Sequence, residues 1–522
     1  MARGLSMSEI ELKLLLDADH AAGVLQRISR LGIADGEQHC RLLRSIYYDT
    51  EARALQAAGI SLRLRHDGTQ WLQTVKQRGR IAGGLSQAEE IEQPAPEGRL
   101  RLAAIASKPM RKRVRALVGN APLHPVVETD IRRTSFDITL DDGTQANIAV
   151  DAGQIKAAEL SRMLNELEIE LVRGDPKSLY TIARAVLPEG GLQFSSLSKA
   201  ARGFLLAERG YIEPPAKPRM ARKVALDPAN TVQQAARASL RECLDQVTAN
   251  IQAVRRLDTA EPPHQLRVGL RRLRTALSIF KPIVDCPERV DLVEDCRWLA
   301  HQVGRLRDLD VVSGTIVTPL AAAHGGEAGF HSLTEALDEQ TAQVRDALRH
   351  LLIGRRTQSM LINLAEFIEA GDWAASSTPA KGERSAMSVM KYARRALDRR
   401  WRNTARHAEG IASFDLRQRH TLRKKLKALR YTVEFFSPLL PDKRMRPFSR
   451  RLKTLQAVFG DLNDAAMAET TLTAAPFGAM ADPMAQRAIG RVIGSCQTKA
   501  EHSWAHAQAL WDDLAACEPP WK

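Results

Sequence analysis

The sequence predicts two folds in one chain: an α+β domain dominated by an antiparallel sheet, followed by an all-α domain. Three observations carry this. Between residues 9 and about 173, apolar and polar residues alternate with period two in many short runs, the pattern of strands with one covered face. The stretch YIEPPAKPRMARKVALDPAN, 211–230, holds four prolines and little periodicity, as a linker does. Beyond it Leu, Ala and Arg recur at helical spacing almost to the last residue, the pattern of a bundle. Domains are therefore expected at 1–210 and 231–515, with 211–230 joining them.

Taken in order, strands are predicted at 9–16, 45–50, 61–65, 71–76, 90–93, 147–153 and 166–172, each an alternating run. Helical patterns fall at 18–31, 97–117 and 175–187, and turns at Gly79 to Gly84 and at Asp141-Asp142-Gly143. In the second part, breaks between helices are expected near 282–287, 319–328, 371–384 and 437–447.

The polar face of these strands is unusual in being charged again and again, with both signs. Glu9, Glu11 and Lys13 share one face of the first strand, while Ile10, Leu12 and Leu14 share the other. Arg63 and Arg65 oppose Leu62 and Leu64, Thr74 and Lys76 oppose Val75, and Glu90 and Glu92 flank Ile91. Glu166, Glu168 and Glu170 oppose Leu167, Ile169 and Leu171. A solvated sheet face would explain any one strand. The repeated ionic triplets are better explained by a barrel with a charged interior, its carboxylates on one wall for a divalent cation and its Lys and Arg clamping phosphate oxygens. Hard carboxylate oxygens suit Mg²⁺ or Mn²⁺ shared with substrate phosphates.

Glu9-Ile10-Glu11-Leu12-Lys13 resembles the ExExK signature of the CYTH superfamily, the triphosphate tunnel metalloenzymes. The resemblance continues in order through YYDT (47–50), SLRLR (61–65), QTVK (73–76), the EIE strand (90–92), an Arg-bearing strand near 132–133, AVD (149–151), EIELV (168–172) and SKAARG (198–203). It covers about 1–210. The resemblance implies a closed, eight-stranded antiparallel tunnel that hydrolyses or cyclises triphosphates. It implies metal ligands at Glu9, Glu11, Glu168 and Glu170, with Asp151 a further member of that patch. It implies a phosphate clamp of Lys13, Arg63, Arg65, Lys76, Arg132 and Lys199. Of these, Glu9, Glu11, Lys13, Arg63, Arg65 and Lys76 are the catalytic set. An Arg often found before the Glu90–Glu92 pair is missing, since Ala88 and Glu89 stand there, a departure that bears on substrate preference. No GxxxxGK[ST] is present, so a P-loop is not supported.

In the helical half, HQLRVGLRRLRTALSIF from His264 aligns without gaps with HTLRKKLKALRYTVEFF from His420, an offset of 156 residues that also relates Gly304 to Gly460 and Asp308 to Asp464. A constant offset over so long a stretch indicates internal duplication, and two similar bundles related by pseudo-symmetry are expected. In each copy the cations lie on one helical stripe: His264, Arg267, Arg271 and Arg274, and then His420, Arg423, Lys427 and Arg430. One basic stripe is usually a solvated face; two matched stripes brought together would form a cationic groove for an extended polyanion. The segment, about 225–515, resembles the CHAD domain, an all-helical family associated with inorganic polyphosphate. The resemblance implies binding through the eight stripe residues and Lys424. Arg305 and Arg307 either join them or only pair with Asp308; their counterparts Asp461 and Asn463 make that end asymmetric.

Bulk properties agree. The net charge of +15 points to polyanionic partners, and most of it lies in the helical half: 30 basic against 27 acidic residues up to residue 218, 46 against 34 beyond. With only 5% aromatics, stacking platforms for nucleic acid are scarce. Cys40, Cys243, Cys286, Cys296, Cys496 and Cys517 form no CxxC pair, as expected of free thiols in the cytoplasm. No apolar leader stands at MARGLSMSEIELK and no apolar run is long enough to span a membrane. The leading expectation is an inorganic triphosphatase with a polyphosphate-binding appendage. Thiamine triphosphate, or ATP cyclised to cyclic AMP, remains open as a substrate, as does a non-catalytic polyphosphate-binding protein. Oligomeric state leaves no mark in the sequence.

Overall fold

The computed structural model of the chain describes residues 7–31, 34–77, 79, 81–188, 193–324, 327–371, 373 and 379–522. The stretch read for a leader, 1–6, lies outside them, as do Arg80 in the predicted Gly79–Gly84 turn and part of the predicted break at 371–384. The chain forms two compact units. One takes in the residues up to Pro215 together with Ile353–Gly371, and the other Ala216–Leu352 with Asp372–Lys522.

The first unit is built on ten strands: β1 (Met7–Leu15), β2 (His39–Asp49), β3 (Ile60–His66), β4 (Trp71–Gln77), β5 (Ile81–Ala82), β6 (Leu85–Pro94), β7 (His124–Thr139), β8 (Gln145–Ala157), β9 (Leu160–Arg173) and β10 (Gln193–Phe194). The order β1-β9-β8-β7-β2-β3-β4-β6 closes on itself because β6 also pairs with β1. This is an eight-stranded antiparallel barrel, with β5 and β10 as short additions beside β6 and β1. Closure leaves no open edge and sends alternate side chains inward and outward.

The barrel is inverted relative to an ordinary core. Leu62, Val75 and Ile91 turn outward, where they are buried beneath Met110, Val114 and Val118 of the Lys108–Val118 helix. The charged alternates turn inward. At one end Ala200 and Phe204 of the Lys199–Arg209 helix pack with Tyr47, Val127 and Ile155. This helix lies so close to β7 that a Cβ on Gly203 would stand 2.1 Å from Val127 Cγ1. A glycine is needed there, and it fixes where Lys199 sits.

Three predicted elements differ. The helical pattern at 97–117 is two short 3₁₀ turns, Pro96–Gly98 and Leu102–Ala104, before a helix capped by Ser107, whose Oγ accepts from Met110 N at 3.4 Å. β7 runs for 16 residues, whereas the sequence marked only the neighbourhood of 132–133. The Arg355–Glu369 helix, inside the interval assigned to the helical domain, belongs to the first unit. There Arg184 Nη1 donates to Asn363 Oδ1 at 3.2 Å and pairs with Glu366.

The second unit is helical and repeats itself. Val232–Arg256, Glu261–Ile279 and Pro287–Val311 correspond in order to Val389–Ala408, Leu416–Phe436 and Asp442–Thr473. The paired central helices pack against one another, with Leu266, Leu270 and Leu273, and Leu422, Leu426 and Leu429, all buried. The last helix of the second copy runs through Pro447, so the predicted break at 437–447 ends at Asp442. Among the described residues no helix is long and apolar enough to cross a membrane.

Candidate functional site

The lumen of the barrel encloses a cavity of about 430 Å³. Its wall includes Glu9, Glu11 and Lys13 from β1, Arg63 and Arg65 from β3, and Lys76 from β4. It is completed by Glu90 and Glu92 from β6, Arg133 from β7, Glu168 and Glu170 from β9, and Lys199 from the capping helix. Period-two geometry on closed strands puts these side chains in one space.

The charges are interleaved. Lys76 Nζ meets Glu9, Glu11 Oε1 at 3.2 Å and Glu90 Oε2 at 3.0 Å. Lys13 pairs with Glu168 and, at 2.8 Å, with Glu11. Arg133 also reaches Glu168. Arg63 Nη2 donates to Glu90 Oε1 at 3.0 Å. Burial alone would push the ammonium of Lys13 toward neutrality, but Glu168 and Glu11 outweigh it and hold the group well above its ordinary range. Arg133, facing Asp151 and Glu168, and Lys199, facing Asp151, Glu166 and Glu168, are raised against burial in the same way.

Arg65 differs. Among the described residues it has no ion pair, and its Nε donates to Ser45 Oγ at 3.4 Å. Burial, then the like charges of Arg63 and Arg133, bring it down to about 10. It is the lumen cation most in need of an anion. On the acidic side, burial with Glu11 and Glu90 lifts Glu9 to about 8, and burial with Glu11, Glu168 and Glu90 raises Glu170.

Two sequence assignments are corrected. Arg132 is not in the lumen: it is exposed on the outer face of β7, with the parity of Glu128 and Asp130, which pair with Arg44 and Lys156. Its neighbour Arg133 points inward. Asp151 does not reach the cavity wall. It is fully buried behind it, accepting 2.7 Å hydrogen bonds from Arg133 Nε and Nη2 and pairing with Lys199 at 2.8 Å.

Sequence reasoning also missed residues. Tyr47 lines the cavity, and Arg63 hydrogen-bonds its oxygen; the YYDT motif was its signal. In the same motif Asp49 is fully buried and accepts from the backbone N of Thr50, Leu55 and Gln56 at 2.8, 3.0 and 2.9 Å. It shapes the turn and lies away from the lumen chemistry.

Among the described residues, no three His, Cys, Asp or Glu side chains stand ready to hold a metal as they are. The oxygens of Glu9 and Glu11 are engaged by Lys76. The donor chemistry still fits a hard divalent cation. Glu11 and Glu170 lie directly opposite on adjacent strands, Glu9 shares their face, and the burial and neighbouring carboxylates that raise Glu9 and Glu170 are what such a cation offsets.

In the helical unit the two basic stripes converge. Arg423 is pulled down to about 10 by burial and by Arg271 and Arg267 of the other copy. Lys427 falls to about 6 through burial, Arg271, Arg423, Arg430 and Arg267. Two other members of the stripes are tied: Arg267 Nη1 pairs with Asp308 at 2.7 Å and Arg430 Nη1 donates to Gln456 Oε1 at 3.2 Å. Arg274 is lowered by burial and by the like charge of Arg297. His264 and His420 are both lowered by burial and neighbouring cations. Lys424 is exposed.

Comparison with known proteins identifies the two domains. The CYTH domain family matches residues 7–204 and the CHAD domain family residues 238–473. An inorganic triphosphatase of Haemophilus influenzae is 26% identical over 211 residues, which are 40% of this chain and 57% of that protein. The chain thus spans little more than half the length of that relative. A Mycobacterium tuberculosis protein is 24% identical over 457 residues, 82% of this chain and 81% of its own length. The crystal structure of the CHAD domain from the plant Ricinus communis superposes with a TM-score of 0.51 at 26% identity, covering 58% of this chain and 98% of that one.

Proposed function

The chain is a CYTH domain followed by a CHAD domain, and from that premise we propose that it is a metal-dependent inorganic triphosphatase whose helical domain binds inorganic polyphosphate. The observation that carries this reading is the lumen: six cations and six carboxylates around one cavity, with Arg65 lacking a carboxylate partner among the described residues. The inorganic triphosphatase similar to the first domain supports the substrate.

In this reading Glu9, Glu11 and Glu170 would hold Mg²⁺ or Mn²⁺, which when bound would supply charge neutralisation at phosphate oxygens and a water of lowered pKa. Arg65 and Arg63 grip the triphosphate, the planar guanidinium being suited to paired oxygens. Lys13, Arg133 and Lys199 face the developing negative charge, and their buried carboxylate partners keep them cationic and oriented before substrate arrives. Glu168, which the resemblance counts among the metal ligands, is instead taken in this reading as the bridge between these cations that keeps them in place. Ala88, where the resemblance leads one to look for an Arg, lies opposite Glu9 and lines the cavity. Action in the cytoplasm belongs to the same reading.

Phosphate release is the test, measured on inorganic triphosphate, ATP and thiamine triphosphate side by side, with Mg²⁺, Mn²⁺ or EDTA. Fast, EDTA-sensitive release from inorganic triphosphate alone is expected. Equal turnover of the organic triphosphates would move the substrate, and no turnover with tight polyphosphate binding would leave a binding protein.

A further inference from the structure

Behind the cavity wall lies a second layer of ionic groups that does not touch the lumen. Glu166 is fully buried and is not part of the wall. Its Oε2 accepts from Lys199 Nζ at 2.6 Å, and its Oε1 lies 3.0 Å from Ser195 Oγ. Ser195, also fully buried, accepts from Arg202 Nη2 at 2.8 Å. Arg202 has no exposed surface and pairs in turn with Glu213. Lys199 and Arg202 are three residues apart on the capping helix and so face the same way.

Lys199 occupies an unfavourable place for a cation. It is the first residue of the helix capped by Ser198, where the helix dipole is positive. Three carboxylates compensate: Glu166, Glu168 Oε1 at 2.8 Å and Asp151 Oδ2 at 2.8 Å. Glu168 and Asp151 are also shared with Arg133. Among the described residues, only Glu166 of the three makes its cationic contact with Lys199 alone. The assembly is registered on the wall as well, since Ser195 N donates to Lys13 O at 3.0 Å.

We infer that Glu166, braced by Ser195 and Arg202, is a positioning residue that fixes the Lys199 ammonium at the cavity wall. It touches neither phosphate nor metal. Its carboxylate sets where the ammonium points and keeps it charged. The inference rests on the lumen being a triphosphate site.

Glu166→Gln and Ser195→Ala in the full chain, assayed with inorganic triphosphate and Mn²⁺, test it. For Glu166→Gln, kcat falls about a hundredfold, the scale of a misplaced catalytic group, while KM does not rise. Glu166→Asp, which keeps the carboxylate, restores part of the lost kcat. Ser195→Ala acts in the same direction and less. It deletes one hydroxyl, so it decides the matter if the glutamine variant does not fold. Folded variants with wild-type kcat overturn the inference, and so does a rise in KM at constant kcat, which would make Glu166 a substrate contact. A ¹H–¹⁵N spectrum of the Lys199 ammonium at neutral pH, assigned through Lys199→Arg, needs no turnover. If the wild type does not hydrolyse triphosphate, the proposed function fails, and this spectrum still judges the positioning role: a shifted or broadened ammonium resonance in Glu166→Gln supports it and an unchanged one refutes it.

Discussion

The tunnel and the helical groove both gather cations, and they handle the cost differently. In the tunnel almost every cation is built in with a carboxylate. Lys13, Lys76, Arg63, Arg133 and Lys199 each face at least one acid, and each is held above its ordinary pKa. In the groove the central cations face one another, and Arg423 and Lys427 are pulled down. A buried charge without a partner sheds its proton or its burial. The tunnel therefore keeps its cations charged, whereas the groove holds its central cations against one another, as the proposed polyanion site requires.

The largest expected effect would break the tunnel's side of this comparison. Glu168→Ala removes the acid shared by Lys13, Arg133 and Lys199, leaving buried cations short of a partner. A loss of about 3–5 kcal/mol in stability of the tunnel domain is expected, read by denaturant unfolding, with activity lost alongside. Arg65→Ala removes a cation that compensates no carboxylate directly. It should cost about 10²–10³ in kcat while the unfolding midpoint stays near wild type. Should Arg65→Ala prove as destabilising as Glu168→Ala, the division between paired and unpaired lumen charges is wrong.

In the groove, Arg271→Ala combined with Lys427→Ala removes the two cations at its centre. Weaker binding of long-chain polyphosphate and a shallower salt dependence are expected, with triphosphate turnover unchanged. Binding that survives would place the polyanion elsewhere on the helical unit.

The pH response sharpens the contrast. Lys427 has a folded-state pKa of about 6 against an ordinary 10.5. Between those values the unfolded chain binds the proton and the folded one does not, so this residue makes stability rise with pH across that window. A bound polyanion restores the proton. Polyphosphate affinity should therefore fall as pH rises above about 6, with uptake of up to about one proton per site. Calorimetry in buffers of different ionisation heat measures that uptake, and Lys427→Met should abolish it. Lys13 and Lys199, held above the ordinary lysine range, give no such response near neutrality; the tunnel group that titrates there is a carboxylate, Glu9, lifted to about 8.

What the sequence disclosed follows the same division. Inward charges on β1, β3 and β4 were legible because strict alternation needs only the strand itself: Glu9, Glu11 and Lys13, Arg63 and Arg65, Lys76. Their partners were not legible. Lys13 meets Glu168 because β1 pairs with β9 in a particular register, and that is a property of closure, with more than 150 residues between the two in sequence. Asp151 was counted as a ligand because the AVD run at 149–151 resembles the family's acidic patch; only the packing of Arg133 and Lys199 over it shows that it lies behind the wall. The basic stripes were visible from the repeat, but which cations remain crowded depended on distant acids such as Asp308. The allegiance of the Arg355–Glu369 helix to the barrel unit has no local signature at all.

The smallest expected effect is the most specific to the fold. Arg132 and Arg133 are adjacent, chemically identical and sequence-equivalent, so only strand parity separates them. Arg133 donates both hydrogen bonds to Asp151 and pairs with Glu168; Arg133→Ala leaves two buried carboxylates short of a cation and should cost both stability and turnover. Arg132 lies on the outer face, where substitutions usually stay within about 0.5 kcal/mol; Arg132→Ala should leave unfolding and turnover unchanged. A slip of one residue in β7 would exchange the two outcomes. Assaying the pair together therefore tests the register of the whole barrel: a silent Arg133→Ala beside a damaging Arg132→Ala would show that the lumen is lined by the other set of side chains.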